Sequence, residues 1–146
     1  ARHYDMSEEE LLRALCVSNL IAIHQKTGIG RLSAYCGAVS AACGSGAAIT
    51  YMLGGEYDEI SDTITNTLAN VSGILCDGAK PSCAAKIASS VDAAIMGMTM
   101  SFSERKFHDG DGLVKSSAEE TIKVVGKIAS EGMKQTDVTV LKYMIE

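Results

Sequence analysis

The chain has five cysteines, and most of them fall between residues 36 and 83. Two stretches carry them: Y-C-G-A-V-S-A-A-C-G-S-G-A-A, from Tyr35 to Ala48, and G-I-L-C-D-G-A-K-P-S-C-A-A-K, from Gly73 to Lys86. Both are rich in Gly and Ala and poor in bulky side chains. Cysteine in that company is rarely chosen for packing volume. It suits a place where something must approach the backbone closely. Cys36, Cys76 and Cys83 each fall at the end of a predicted helix. Helix ends stabilise thiolates and leave backbone N–H groups free to bond sulfur. Three thiolates from three helix ends could hold a metal centre with one position left open. The other reading is that all five are core cysteines, and spacing alone does not choose between the two. A C-x-x-C pair, the usual mark of a structural zinc site, is absent. Cys16, set among leucines, reads as a buried structural thiol. Cys43 lies two turns beyond Cys36 on the same predicted helix face and reads as a packing residue.

The elements that must position these residues are helical. Ser7-Glu8-Glu9-Glu10 is a capping box that opens a first helix running to about Gln25. Its apolar arc, from Leu11 and Leu12 to Ile21 and Ile23, is wide, so the helix is expected to be well buried. Thr27 to Arg31 reads as a break. A second helix is expected over Ser33 to Leu53, ended by Gly54-Gly55. Gly37, Gly44, Gly46 and Gly54 cost it propensity, roughly 1 kcal/mol each in a helix interior. Such a helix persists where its small face lets a neighbour or a ligand come close. Tyr57 to Leu75 has helical spacing. Cys76 to Lys80 is a loop, and Pro81 suits the first turn of a fourth helix through Ile87, Val91, Ile95 and Met98. Asp109 to Gly112 marks turns. Ser117 with Glu120 forms a second capping box, Gly132 closes that helix, and a short amphipathic helix with Val138, Leu141 and Ile145 ends the chain. No strand pattern, repeat or linker competes. The expected fold is all-α: a single domain of five or six helices around a Gly/Ala/Cys-rich central helix.

Composition excludes several function classes. The 146 residues are 47% hydrophobic and 21% charged, which suits one domain with a real core. A net charge of −5, no basic run and few aromatics argue against a nucleic-acid surface. No apolar run reaches the roughly 18 residues of a membrane span, and no signal peptide is visible. An odd cysteine count with seven Met and one Pro suits a cytoplasmic, reducing setting. The chain starts at Ala1, as expected of a processed chain or of a segment of a longer protein.

The motifs Gly28 to Gly44 (G-I-G-R-L-S-A-Y-C-G-A-V-S-A-A-C-G), Leu53 to Gly55 (L-G-G) and Gly73 to Lys86 resemble the C-terminal part of the iron–sulfur L-cysteine desulfidase family. That family is related to the alpha chain of bacterial iron–sulfur L-serine dehydratases. The likeness covers nearly the whole chain, 1–146. It implies a helical catalytic domain holding a 4Fe-4S cluster by three cysteines, with one iron free. By motif, Cys36 and Cys76 match two ligands. Cys83 matches the third in the dehydratases, with a shorter intervening loop; in the desulfidases the third ligand can come from near the N-terminus of the full protein.

The implied reaction is β-elimination without pyridoxal phosphate, converting L-cysteine to pyruvate, ammonia and sulfide. The serine counterpart gives pyruvate and ammonia. Asp77 and Lys80, beside Cys76, are candidates for a catalytic role or for helix caps. Arg31 and Ser33, at the mouth of the glycine-rich helix, could hold a substrate carboxylate, and Arg31 reads equally as a helix-end salt bridge. His24 reads as a satisfied or surface histidine. The expected partners are a small amino-acid substrate and either a missing N-terminal part or a second subunit, with a homo-oligomer as a further option. The non-catalytic alternative is a helical assembly domain or an inactive fragment.

Overall fold

The computed structural model describes residues 4–146. Six α-helices follow one another: α1 Glu8–Ile29, α2 Gly37–Met52, α3 Tyr57–Val71, α4 Cys83–Phe102, α5 Ala118–Lys127 and α6 Lys134–Ile145. A π-helical turn, Ile128–Gly132, joins α5 to α6. The fold is all-α, as expected. The central element is α2, which packs against α1, α3 and α4. Its Val39, Cys43 and Ala47 share the main core with Ile64 and Leu68 of α3 and Ile122 and Val125 of α5.

Helix crossings explain the glycines of α2. A Cβ on Gly44 would stand 2.4 Å from the Ser18 carbonyl oxygen of α1, and one on Gly46 would stand 2.9 Å from the Ala94 methyl of α4. The propensity lost at each glycine is offset by backbone approach that no larger residue allows.

The same logic corrects the expected break after Gln25. α1 runs on to Ile29, because Gly28 is a crossing point: a Cβ on Gly126 of α5 would lie 3.3–3.4 Å from the Gly28 backbone. The stop falls at Gly30, whose φ of 92° is glycine's territory and whose N–H donates to the Lys26 carbonyl.

A second correction concerns burial. Only Ala14, Gln25 and Ile29 of α1 are buried. Leu12 is 55%, Leu20 66% and Ile23 61% exposed. The wide apolar arc is real, but much of it faces outward. Cys16 lies on that outer side and is exposed, not the buried structural thiol expected.

Smaller differences follow from local bonding. The Ser7 box forms in both directions, and α3 has an unforeseen box between Glu56 and Glu59. At α5, Ser117 accepts from the Glu120 N–H, while the Glu120 carboxylate turns to Lys123 instead of reaching back. α3 ends at Val71, so residues 72–76 are free to pair elsewhere. Pro81 lies in the turn before α4 and not within its first turn. α6 buries none of its residues, and Val138, Leu141 and Ile145 are exposed.

Candidate functional site

Tyr35 and Leu75 form an isolated antiparallel bridge. The Cys36 N–H donates to Ile74 O at 3.0 Å, and the Cys76 N–H donates to Ala34 O at 2.6 Å. In such a pairing side chains alternate between faces, so Cys36 and Cys76 share the face opposite Tyr35 and Leu75. They are diagonal neighbours, whose α-carbons stand about 7–8 Å apart in a regular ladder. Two short segments, forty positions apart in number and otherwise unstructured, are thereby pinned side by side.

Cys36 is the N-cap of α2, and Cys83 is the first residue of α4. Both helix starts present the positive end of the helix dipole, and at α4 the Cys83 and Ala84 N–H groups donate to the Lys80 and Pro81 carbonyls of the preceding turn. Cys36, Cys76 and Cys83 all line one cavity of about 480 Å³, floored by Ala38, Ala41 and Ala42 of α2 and walled by Ile87 and Val91 of α4. The lining is almost wholly apolar. The three thiols are free. The Cys83 thiol donates to Gly78 O at 3.4 Å, and Gly78, at φ 88°, turns the loop over the cavity. The Met144 methyl of α6 packs against Gly78, where a Cβ would come within 2.6 Å of it.

The structure thus brings the three predicted ligand cysteines to one place. Among the described residues, no three His, Cys, Asp or Glu side chains converge tightly enough to hold a single metal ion. Cysteine thiolates are the usual ligands of an iron–sulfur cluster. Three free cysteines around a glycine- and alanine-lined cavity, two of them at helix N-termini, are a donor set that fits such a group.

The neighbouring charges are organised around Asp77. Its carboxylate accepts from Lys86 of α4 and pairs with Lys80 at 3.1 Å. Lys86 first and Lys80 second hold the carboxyl at about 2, well below its ordinary value. Lys86 also donates to Leu75 O at 2.8 Å, and its own pKa is raised, mainly by Asp77. Sequence reasoning quoted Lys86 within the motif and assigned it nothing. The available signal was its place one turn into α4, three residues after Cys83. Ile87, Val91 and Met144 were likewise not connected to the site.

Arg31 and Ser33 lie elsewhere. Arg31 lines a separate shallow groove with Ile23, Lys26 and Thr27. It has no ion-pair partner among the described residues. The Ser33 hydroxyl donates to Ala129 O at 2.8 Å and accepts from the Tyr35 N–H, so it braces the strand-like segment. His24 is satisfied at the surface, 2.7 Å from Glu119. Cys43 is fully buried and burial pushes its thiol up to about 12. Burial also raises the pKa of Tyr35, with smaller contributions from Cys43 and Cys36.

This is an all-helical domain with a thiol-lined cavity where two helix N-termini meet a paired loop. The model of the serine dehydratase alpha chain family matches residues 1–142, and the chain belongs to that family. A UPF0597 protein of Lachnoclostridium phytofermentans is 60% identical over 97% of this chain and 34% of its own length. One of Treponema denticola is 57% identical over the whole chain and 34% of its own length. One of Phocaeicola vulgatus is 44% identical over 94% of the chain and 32% of its own length. The chain spans about a third of the length of these curated relatives. Their name states no activity. No solved structure matches the chain significantly.

Proposed function

We propose that the chain is the cluster-binding part of an iron–sulfur-dependent lyase acting on L-cysteine, with Cys36, Cys76 and Cys83 as the ligands of a 4Fe-4S cluster. The observation that carries this reading is the single cavity lined by these three free thiols. Membership of the serine dehydratase alpha chain family supports a lyase of this kind and favours, as a second reading, L-serine as the substrate. When bound, the cluster supplies a Lewis-acidic iron that polarises a carboxylate and a leaving thiol or hydroxyl. The chain's own residues do the rest of what this part can do. The start of α2 favours anionic groups in the cavity, whereas at α4 the Cys83 and Ala84 N–H groups already donate to the Lys80 and Pro81 carbonyls. The apolar wall includes Ala41 and Ile87, which are exposed in this chain, so closing the cavity against water falls to a further part of the protein or to a second subunit.

In the overall reaction the α-proton leaves, the Cβ–S bond breaks with its electrons going to sulfide, and the resulting enamine hydrolyses to pyruvate and ammonia. Asp77 is a weak base because two lysines hold it as a carboxylate, so it suits loop organisation better than proton abstraction. Among the described residues no cationic side chain lines the cavity to meet a substrate carboxylate, and Arg31 and Ser33 are directed elsewhere. The reading therefore assigns substrate recognition and the base to a further part of the protein or to a second subunit. The exposed apolar side of α1 supports such a larger assembly. No described helix is long and apolar enough to cross a membrane, and free cysteines suit the cytoplasm.

The test is anaerobic purification and reconstitution with iron and sulfide. The expected product is brown, with iron bound per chain. A colourless chain free of iron after reconstitution would sink the reading. Sulfide and pyruvate release from L-cysteine against pyruvate release from L-serine, measured in a full-length relative, separates the two substrates.

A further inference from the structure

Lys86 is placed to do more than decorate α4. Its ammonium donates to the carbonyl of Leu75 and to the carboxylate of Asp77, the residues on either side of Cys76. Its side chain is only 21% exposed. One cation thus holds both chain neighbours of Cys76. It stands one turn into the helix that Cys83 begins, so it ties that helix start to the loop that carries Cys76. Through the Tyr35–Leu75 bridge the tie extends to Cys36, whose N–H is held by Ile74.

We propose that Lys86 is a positioning residue: it fixes the Cys76 loop, and through the Tyr35–Leu75 bridge the Cys36 segment, against the helix that Cys83 begins. Lysine suits the task because an ammonium directs several donors from one point, and a charge-assisted bond to carboxylate is stronger than a neutral one. Asp77 completes the brace, with Lys80 as its outer arm. The part of this inference that concerns a bound cluster rests on the function proposed above; the loop tether does not.

The experiment compares Lys86→Met, Lys86→Arg and the wild-type chain in two arms. In the metal-free chain, hydrogen exchange is measured at the amides of Cys36 and Cys76. Lys86→Met removes two charge-assisted bonds and is expected to speed both by about tenfold or more, while the amides of α3 keep their rates. Lys86→Arg, which retains two donors, is expected to restore most of the protection. In the reconstituted chain, Lys86→Met is expected to bind less iron and to show a reduction potential shifted to more negative values, since a positive charge has left. A purely structural role would not move the potential of the chains that do load. Unchanged exchange at Cys36 and Cys76 in Lys86→Met overturns the tether, whatever happens to iron. If the wild type itself takes up no iron, the proposed function fails and the exchange arm still decides the tether. Should Lys86→Met fail to fold, the isosteric Asp77→Asn carries the same test, with faster exchange at Cys76 expected and wild-type exchange overturning the proposal.

Discussion

Cys36 and Cys43 sit two turns apart on one helix, and they occupy different chemical worlds. Cys36 caps the open end of α2, facing a cavity and two other thiols. Cys43 lies in the core among Ile64 and Leu68, with no exposure, and burial holds its thiol protonated far beyond neutral pH. The glycines repeat the contrast. A Cβ on Gly37 would meet nothing within 4 Å, whereas one on Gly44 would overlap the Ser18 carbonyl. The same residue types leave open space beside a cavity at one end of α2 and allow approach of a helix in its middle. Position along the helix, not residue type, decides the role.

The largest expected effects attack this contrast directly. Cys36→Ser and Cys76→Ser should abolish iron uptake during reconstitution, because each removes one of the three proposed ligands. Cys43→Ala should leave iron per chain unchanged and lower the denaturant midpoint, by about 1–3 kcal/mol for a core truncation. If Cys43→Ala lost the iron and Cys36→Ser kept it, the assignment of the two ends would be reversed. Cys16→Ser, on the exposed side of α1, should change neither quantity.

Glycine substitutions come next. Gly44→Ala should destabilise the chain by roughly 1–3 kcal/mol, since the new methyl meets a backbone carbonyl that cannot move aside. Gly37→Ala should leave the metal-free chain unchanged or stabilise it by up to about 1 kcal/mol through helix propensity. It should also reduce iron uptake, because its methyl enters the cavity that Gly37 lines. Thermal unfolding with and without reconstitution reads both effects.

The contrast also explains what the sequence made legible. The helices were readable because their caps and apolar periodicity are local signals. Cys36, Cys76 and Cys83 stood out because Gly- and Ala-rich stretches offered no packing reason for them. The Tyr35–Leu75 pairing that joins two of them was not readable, since a single bridge leaves no alternating pattern. Gly28 looked like a stop because a glycine at a helix crossing and one at a helix end are the same letter. The burial of α1 was misjudged for a related reason: a wide apolar arc records how much surface seeks cover, not what covers it. Lys86 was hidden because its partners, Leu75 and Asp77, lie across a loop.

Stability against pH offers the finest test of the two ends, because each should fail on its own side of neutrality. Asp77 is held at about 2 by Lys86 and Lys80, below the unfolded value near 3.9. Its depressed pKa contributes stability that is complete above about pH 4 and is lost as pH falls toward 2. Cys43 has the opposite sign. Its thiol is pushed up to about 12, above the unfolded value near 8.5, so its contribution is complete below about pH 8 and is lost as pH rises toward 12. Denaturant midpoints measured across both limbs should therefore show Asp77→Asn flattening only the acid limb. Cys43→Ala should flatten only the alkaline one, where Tyr35, also raised by burial, leaves a residual slope. The acid effect should be the smaller, since the Asp77 pairs are partly open to water, which screens them. An acid limb unchanged in Asp77→Asn would mean that the Lys86–Asp77–Lys80 brace holds the loop without contributing to global stability.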